Sequence, residues 1–275
     1  PGEKTSPTQP FPTAPPPFAR QSFTEKDINA YLSEEDQAKV RELLRNSRNE
    51  GLFTPPSLKG SIEIPGHNGG ANWGSSAIDP TKGTMYVVSK EIPTYIKLYP
   101  AGTAPQTGRG GRGGPPVAPP NAPSEFVLYE APYDFMLMSN GLSAIGPPWS
   151  RLTAYDLNKG TILWQIPNGE FPGLPGEVTN TGSHAPRGGP VVTAGGLIFV
   201  GTSSDRKLRA YDQDNGKILW TRDLPAASEG VPAVYEVKGR QYIAVAVGGT
   251  GLFPPKVGLS TPPGPSQYIV FALPN

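Results

Sequence analysis

The sequence contains no cysteine in its 275 residues, which excludes a disulfide scaffold, a cysteine-ligated zinc site and a thiol catalyst. Charge of one sign is also lacking, because 24 Lys and Arg stand against 23 Asp and Glu. This balance argues against a protein whose whole surface binds nucleic acid or an anionic membrane. No apolar run approaches the roughly 18–20 residues that cross a bilayer. Only two histidines occur, His67 and His184, and neither has the neighbours typical of a catalytic zinc site.

Glycine and proline, by contrast, are abundant: 34 and 35 residues, a share at which low-complexity disorder becomes a serious interpretation. Against it stand 10 Phe, 11 Tyr and 4 Trp, which are enough for a core of ordinary size. Residues 1–22 are rich in proline and lack periodicity, so they are expected to form an extended strap. Residues 100–125 are rich in Gly, Pro and Arg, and we predict a flexible surface loop.

That loop contains GRGGRGG, which superficially resembles an RNA-binding RGG segment. Two arginines are a weak signal, and a loop inserted between strands explains them better. Nucleic acid is therefore not expected as a partner.

Residues 23–52 are the only convincing helical stretch and are predicted to form a short helical insert. Ser33 followed by Asp36 resembles a capping box, with Asp in place of the usual Glu or Gln. Val40, Leu43 and Leu44 then recur at helical spacing, which predicts one apolar face packed on a larger body.

Residues 53–275 read as short β-branched or aromatic runs separated by turn sequences such as Asn-Lys-Gly and Asp-Asn-Gly. This pattern predicts an all-β, antiparallel architecture. Residues 151–167 align with residues 207–223, so that Ala-Tyr-Asp, Gly and Trp recur at constant spacing.

Each repeat is expected to be a hairpin, and sheets that repeat in this way pack radially as propeller blades. Trp164 and Trp220 are interpreted as wedges that dock between neighbouring blades rather than as chemical groups.

The form Ala-x-Asp-x-x-x-Gly-x-x-x-Trp resembles the tryptophan-docking repeat of quinoprotein dehydrogenases, which use pyrroloquinoline quinone (PQQ). Three further segments resemble that family, above all its glucose-dehydrogenase-like branch: GGANWG at residues 69–74, GGPVVTAGG at 188–196 and GRQYIAVAVGG at 239–249. The resemblance implies the C-terminal portion of an eight-bladed β-propeller that binds PQQ and Ca²⁺.

The resemblance also assigns candidate cofactor-binding residues. Asn72 stands where the family asparagine hydrogen-bonds the cofactor edge, and an amide offers both donor and acceptor. Trp73 either lines the pocket or packs. Arg187 stands where some members carry a cofactor-contacting Trp, and a guanidinium suits a PQQ carboxylate. Gly251 precedes Leu252 where other members have Gly-Trp, so its backbone amide is the remaining candidate.

No residue of this chain matches the family's catalytic aspartate or its calcium ligands, so both are expected outside the chain. The expected partners are the N-terminal remainder of the propeller, a sugar or alcohol, and an electron acceptor, either a cytochrome or a quinone.

By resemblance, the protein is expected to be periplasmic or otherwise exported, although no signal peptide is present from Pro1 onward. The leading hypothesis is a PQQ- and calcium-dependent dehydrogenase that oxidises a sugar or alcohol hydroxyl by hydride transfer to the quinone. The alternative is a non-catalytic propeller of PQQ-like repeats that acts as a protein-interaction scaffold, since fold alone does not imply function.

Overall fold

The computed structural model describes residues 8, 10–52, 54–71, 74, 76–105, 127–176, 178–249 and 263–273. One 3-10 turn, Glu25–Asp27, and one α-helix, α1 (Glu34–Asn46), precede sixteen strands. The strands are β1 (Ser61–Glu63), β2 (Ser76–Asp79), β3 (Thr84–Lys90), β4 (Thr94–Ile96), β5 (Tyr99–Pro100), β6 (Tyr129–Glu130), β7 (Tyr133–Phe135), β8 (Ser150–Asp156), β9 (Thr161–Pro167), β10 (Val191–Val192), β11 (Leu197–Gly201), β12 (Lys207–Asp212), β13 (Ile218–Asp223), β14 (Ala233–Val237), β15 (Arg240–Gly249) and β16 (Gly264–Ala272). The sequence predicted an all-β architecture with one short helical insert, and the described residues are indeed mostly strands with one α-helix.

Helix α1 begins where its sequence predicts. Ser33 is the N-cap, and its hydroxyl accepts a hydrogen bond from the Asp36 backbone N–H at 3.1 Å. In a capping box, the Asp36 side chain would accept a hydrogen bond from the Ser33 backbone N–H. Here the Asp36 carboxylate instead accepts from the Ser139 backbone N–H at 3.1 Å and from the Ser139 hydroxyl. Val40 is fully buried, so the apolar face packs on a larger body as predicted.

Three antiparallel sheets follow one another along the chain and are named the first, second and third blade. They have the strand orders β2-β3-β8-β9, β10-β11-β12-β13 and β14-β15-β16. The two aligned repeats form the β8-β9 and β12-β13 hairpins, and both show a register shift directly after the Ala–Trp pair. The two repeated sequences therefore form hairpins with the same break in strand register.

The tryptophans dock each blade on the next, as predicted. Trp164 donates from Nε1 to the Gln213 carbonyl of the second blade at 3.3 Å. A Cβ on Gly216 would lie 2.9 Å from the Trp164 ring, so this turn needs glycine for close approach as well as for its φ of +73°. Trp220 of the second blade packs edge-on against Phe271 of the third, with ring centroids 5.6 Å apart.

The chain between β3 and β8 contains a long insertion, residues 91–149, which emerges at the end of the first blade where β2 begins. Strand β4 of this insertion pairs with β1 on one side and with β7 on the other. Together with α1 these strands form a cap with its own core, which includes Phe23, Val40, Ile62, Leu142 and Trp149. Residues 106–126, which hold most of the predicted flexible loop, lie outside the described residues.

Residues 10–22 cross the first blade without helix or strand. The Tyr155 hydroxyl donates to the Pro16 carbonyl at 2.6 Å, and the Gln165 amide donates to the Phe18 carbonyl at 3.1 Å. These bonds hold the proline-rich segment along the blade.

The segment ends at a buried ion cluster centred on Glu91, whose side chain has no exposed surface. Glu91 pairs with Arg20 of the proline-rich segment and with Arg151 of β8, the latter at 2.7 Å. Arg20 also donates to the carbonyls of Gly146 at 2.7 Å and Pro148 at 3.3 Å. The Arg20 side chain therefore joins the proline-rich segment to the end of β3 and to the chain that returns from the cap into β8.

We expect Arg20→Met to destabilise the protein by about 2 kcal/mol or more, toward the range of about 3–5 kcal/mol for buried pairs that lose one partner. Urea unfolding of the full-length protein measures the change. Arg45→Met is the matched control, since Arg45 also pairs with a glutamate, Glu25 at 2.7 Å, but is 64% exposed. Equal losses in the two variants would contradict the importance assigned to the buried cluster.

Candidate functional site

The residues that lead into the first strand of each blade meet one another through glycine backbones. A Cβ on Gly189, before β10, would lie 1.5 Å from the carbonyl oxygen of Gly74, before β2. A Cβ on Gly188 would lie 3.1 Å from the carbonyl oxygen of Gly230, before β14. Successive blades thus converge where their first strands begin, and the missing side chains permit that approach.

Three charged residues from the three blades are gathered at this convergence. Lys90 ends β3 of the first blade and is only 5% exposed. Burial lowers the pKa of the Lys90 ammonium, the nearby Arg187 guanidinium lowers it further, and Glu229 opposes both. We name Lys90, Arg187 and Glu229 the axial charge cluster. As named, the axial charge cluster holds two cations and one carboxylate.

Of the predicted cofactor-binding residues, Arg187 lies in this cluster and is partly buried. Asn72, Trp73 and Gly251 lie outside the described residues. The described residues on either side of Asn72 and Trp73 do reach the cluster: the Gly70 carbonyl accepts from the Lys90 backbone N–H at 2.7 Å, and Gly74 contacts Gly189. The role of each predicted residue stays a prediction.

His67 lies beside the cluster and against the cap. Its ring is 3.7 Å from the Tyr133 ring and 4.7 Å from the Phe135 ring, measured between centroids. Nδ1 is 3.0 Å from the Thr94 hydroxyl. Burial lowers the pKa of His67, and the positive charge of Lys90 lowers it further. The imidazole is therefore neutral at physiological pH.

The second histidine lies elsewhere. His184 is 4% exposed and packs edge-on against Trp149 at 5.3 Å, with Phe171 at 5.7 Å. The structure places the His184 ring among core aromatics, as in an ordinary packed histidine.

Within the part of the chain that the structure describes, no three His, Asp or Glu side chains come together in a group able to hold a metal ion. The described helices also include none long and apolar enough to cross a membrane.

Sequence reasoning missed Lys90, Glu229 and His67. Lys90 had a readable signal, because Lys90 and Glu91 follow the apolar run Tyr86–Val88 with only Ser89 between, at the end of a buried strand. Charged residues at the end of such a strand are rarely buried without a partner or a ligand. Glu229 and His67 lie in loops, and only the packing of three blades brings them near Lys90.

The lowered pKa of Lys90 gives a testable pH dependence. Between that lowered pKa and the ordinary value of 10.5, the unfolded chain binds the proton that the folded chain has lost, so Lys90 makes stability rise with pH. We expect the stability of the wild type minus that of Lys90→Met to increase across this interval. Melting temperatures measured from pH 8 to 11 test it, and a flat or falling difference would contradict the burial of the ammonium.

The glycine contact gives a second test. Gly189→Ala must displace the Gly74 carbonyl, so we expect a loss of more than about 2 kcal/mol of stability. Gly230→Ala is the control, because a Cβ there has no heavy atom within 4 Å. Urea unfolding compares the two, and a Gly189→Ala protein as stable as the control would disprove the close contact between the first two blades.

Comparison with known proteins agrees with this architecture. Residues 1–243 match the family model described as "PQQ: Glucose/ethanol/alcohol dehydrogenase, beta-propeller domain". The glycerol dehydrogenase large subunit of Gluconobacter oxydans is 33% identical over 298 residues, covering 100% of this chain and 38% of that protein. The quinoprotein glucose dehydrogenase of Escherichia coli is 32% identical over 296 residues, covering 100% of this chain and 34% of that one. The chain spans about a third of the length of these relatives.

The crystal structure of quinohemoprotein alcohol dehydrogenase from Comamonas testosteroni superposes with a TM-score of 0.53 at 23% identity, over 78% of this chain and 27% of that one. This likeness supports the propeller fold. Since the family model covers most of the sequence, the chain belongs to the PQQ β-propeller family of glucose, ethanol and alcohol dehydrogenases.

Proposed function

We propose that this chain is the C-terminal portion of an eight-bladed PQQ- and calcium-dependent dehydrogenase that oxidises a hydroxyl group of a sugar or alcohol. The relatives named as a glycerol dehydrogenase large subunit and a quinoprotein glucose dehydrogenase are about three times longer than the chain. In the described residues β16 pairs with β15 only, which suits a ring that the N-terminal remainder of the polypeptide completes.

The axial charge cluster is the observation that carries the proposal. A buried Lys90 near Arg187, with Glu229 as the one carboxylate of the cluster, is unfavourable unless an anion offsets the positive charge. PQQ carries three carboxylates and two quinone oxygens, all of them acceptors, so the donor set fits the group. Arg187 has the planar fork that matches a carboxylate, and Lys90 has a compact ammonium for a single oxygen.

PQQ, when bound, supplies the acceptor for the hydride that leaves the substrate carbon. The residues of this chain bind and orient the cofactor. Arg187 and Lys90 hold the anionic edge, and Glu229 keeps the local charge from rising further before a ligand arrives. The glycine contacts fix the three backbones that carry these side chains.

Asn72, Trp73 and Gly251 are proposed as additional cofactor contacts. The catalytic base and the ligands of Ca²⁺ are assigned to the rest of the polypeptide.

The remaining proposed partners follow from the same reaction. The reduced enzyme passes electrons to a cytochrome or a quinone, and the protein is exported, in agreement with the sequence resemblance. A scaffold function would require neither the buried Lys90 nor an arginine placed near it from the next blade.

We expect the full-length protein with PQQ and Ca²⁺ to reduce an artificial electron acceptor when an aldose or alcohol is added. Lys90→Met and Arg187→Met should each weaken PQQ binding about 10- to 150-fold, the equivalent of one hydrogen bond to a charged group. Spectroscopic titration with PQQ measures the dissociation constant.

Lys159→Met and Arg222→Met are the matched controls, since both side chains are exposed on β-hairpins away from the cluster. They should leave the dissociation constant unchanged. Absence of both PQQ binding and turnover across the substrate panel would overturn the enzymatic function in favour of a scaffold.

A further inference from the structure

The imidazole of His67 is held in one orientation. The Gly66 backbone N–H donates to the Ile92 carbonyl at 3.1 Å, which ties the loop before β2 to the start of the insertion. The Thr94 hydroxyl oxygen lies 3.3 Å from the His67 backbone nitrogen and 3.0 Å from Nδ1. Tyr133 and Phe135 then fix the plane of the ring. Four residues of the cap insertion therefore position one side chain.

We assign the tautomer from these contacts. The Thr94 hydroxyl oxygen accepts from the His67 backbone N–H, and its own proton is then available to Nδ1. In a neutral imidazole that accepts at Nδ1, the ring proton is on Nε2. His67 thus presents Nε2–H as a hydrogen-bond donor.

That donor is unused within the described structure. Nε2 is buried and has no hydrogen-bond partner among the described residues. A buried unpaired donor costs about 1–3 kcal/mol, and such groups in native proteins call for a ligand or an ordered water. The contacts of the ring with Thr94, Tyr133 and Phe135 keep Nε2 in this position without a partner.

The charged neighbours indicate which ligand is suited to it. Lys90 is the charged group that shifts the pKa of His67, whereas Lys90 itself is affected by Arg187 and Glu229. His67 is thus close enough to Lys90 to feel its charge, and Lys90 is close enough to Arg187 and Glu229 to feel theirs. The anionic edge of the cofactor is matched by the two cations, and a neutral N–H beside aromatic rings is matched by an uncharged hydroxyl oxygen.

We propose that His67 donates a hydrogen bond from Nε2 to one hydroxyl oxygen of the polyol or sugar substrate, and that the cap insertion selects the substrate through this contact. The inference rests on the proposed dehydrogenase function and extends it to a residue outside the family motifs in the sequence.

The test uses the full-length holoenzyme and two variants. His67→Phe keeps the aromatic contact with Tyr133 and removes the donor, whereas His67→Gln retains an amide donor. The panel contains D-glucose with its monodeoxy analogues, glycerol with the two propanediols, and the other aldoses and alcohols of the activity screen with their analogues lacking one hydroxyl.

We expect His67→Phe to lower kcat/KM for the best substrate about 3- to 10-fold, mainly through KM, and His67→Gln to recover part of it. For one analogue, lacking the contacted hydroxyl, wild type and His67→Phe should have equal kcat/KM. The rise in melting temperature that the substrate produces should shrink in His67→Phe, and the PQQ dissociation constant should not change.

His184→Phe is the matched control, because it replaces the other buried histidine with an aromatic ring. It should change stability without changing the ratio between the parent substrate and its analogues. An equal loss on every analogue would assign His67 a structural role or a bound water and would overturn the proposal, as would weakened PQQ binding.

The two proposals fail differently. If the wild-type holoenzyme oxidises the panel and His67→Phe matches it, only the present inference is overturned. If the wild type neither binds nor oxidises any compound, the dehydrogenase function fails and this inference fails with it.

Discussion

The fully buried carboxylate of Glu91 is the constraint on which the surroundings of the site depend. A charge removed from water must be paired, and Glu91 obtains its two partners from distant parts of the sequence, Arg20 and Arg151. The pairing fixes the end of β3, where the chain leaves the first blade to build the cap. Lys90 directly precedes Glu91, so the backbone that the Glu91 ion pairs hold in place also carries the Lys90 ammonium of the axial charge cluster. An extended, proline-rich segment thereby becomes part of the framework of the site.

The axial charge cluster and the surroundings of His67 depend on different parts of the chain. Lys90, Arg187 and Glu229 come from three blades and depend on the glycine contacts that let those blades approach. His67 depends instead on the insertion within one blade, through Thr94, Tyr133 and Phe135. On the proposed function, a common propeller keeps the cations of the axial charge cluster while the insertion varies, which fits a family whose relatives are named for glycerol and for glucose.

The sequence predicted most of the fold because its information is local and repeated. Two copies of the Ala-Tyr-Asp, Gly and Trp pattern identify hairpins, and both Trp164 and Trp220 dock on the next blade as expected. Ser33 predicted the helix start, but Asp36 turned to Ser139, a contact that only the cap creates. For the site, Arg187 came from aligning a motif, whereas Lys90, Glu229 and His67 became visible only once residues far apart in the chain lay together. Long-range electrostatics leaves no periodic trace in a sequence, so this part could not be predicted.

The third blade has a further consequence, for the behaviour of the chain in solution. Strand β16 has β15 on one side and no other neighbour among the described strands, and its Tyr268 and Val270 are 83% and 50% exposed. A long edge with free backbone groups and apolar side chains is a template for strand addition. Produced as an isolated polypeptide, this chain should associate edge to edge, and its solubility would report directly on whether that edge has been covered.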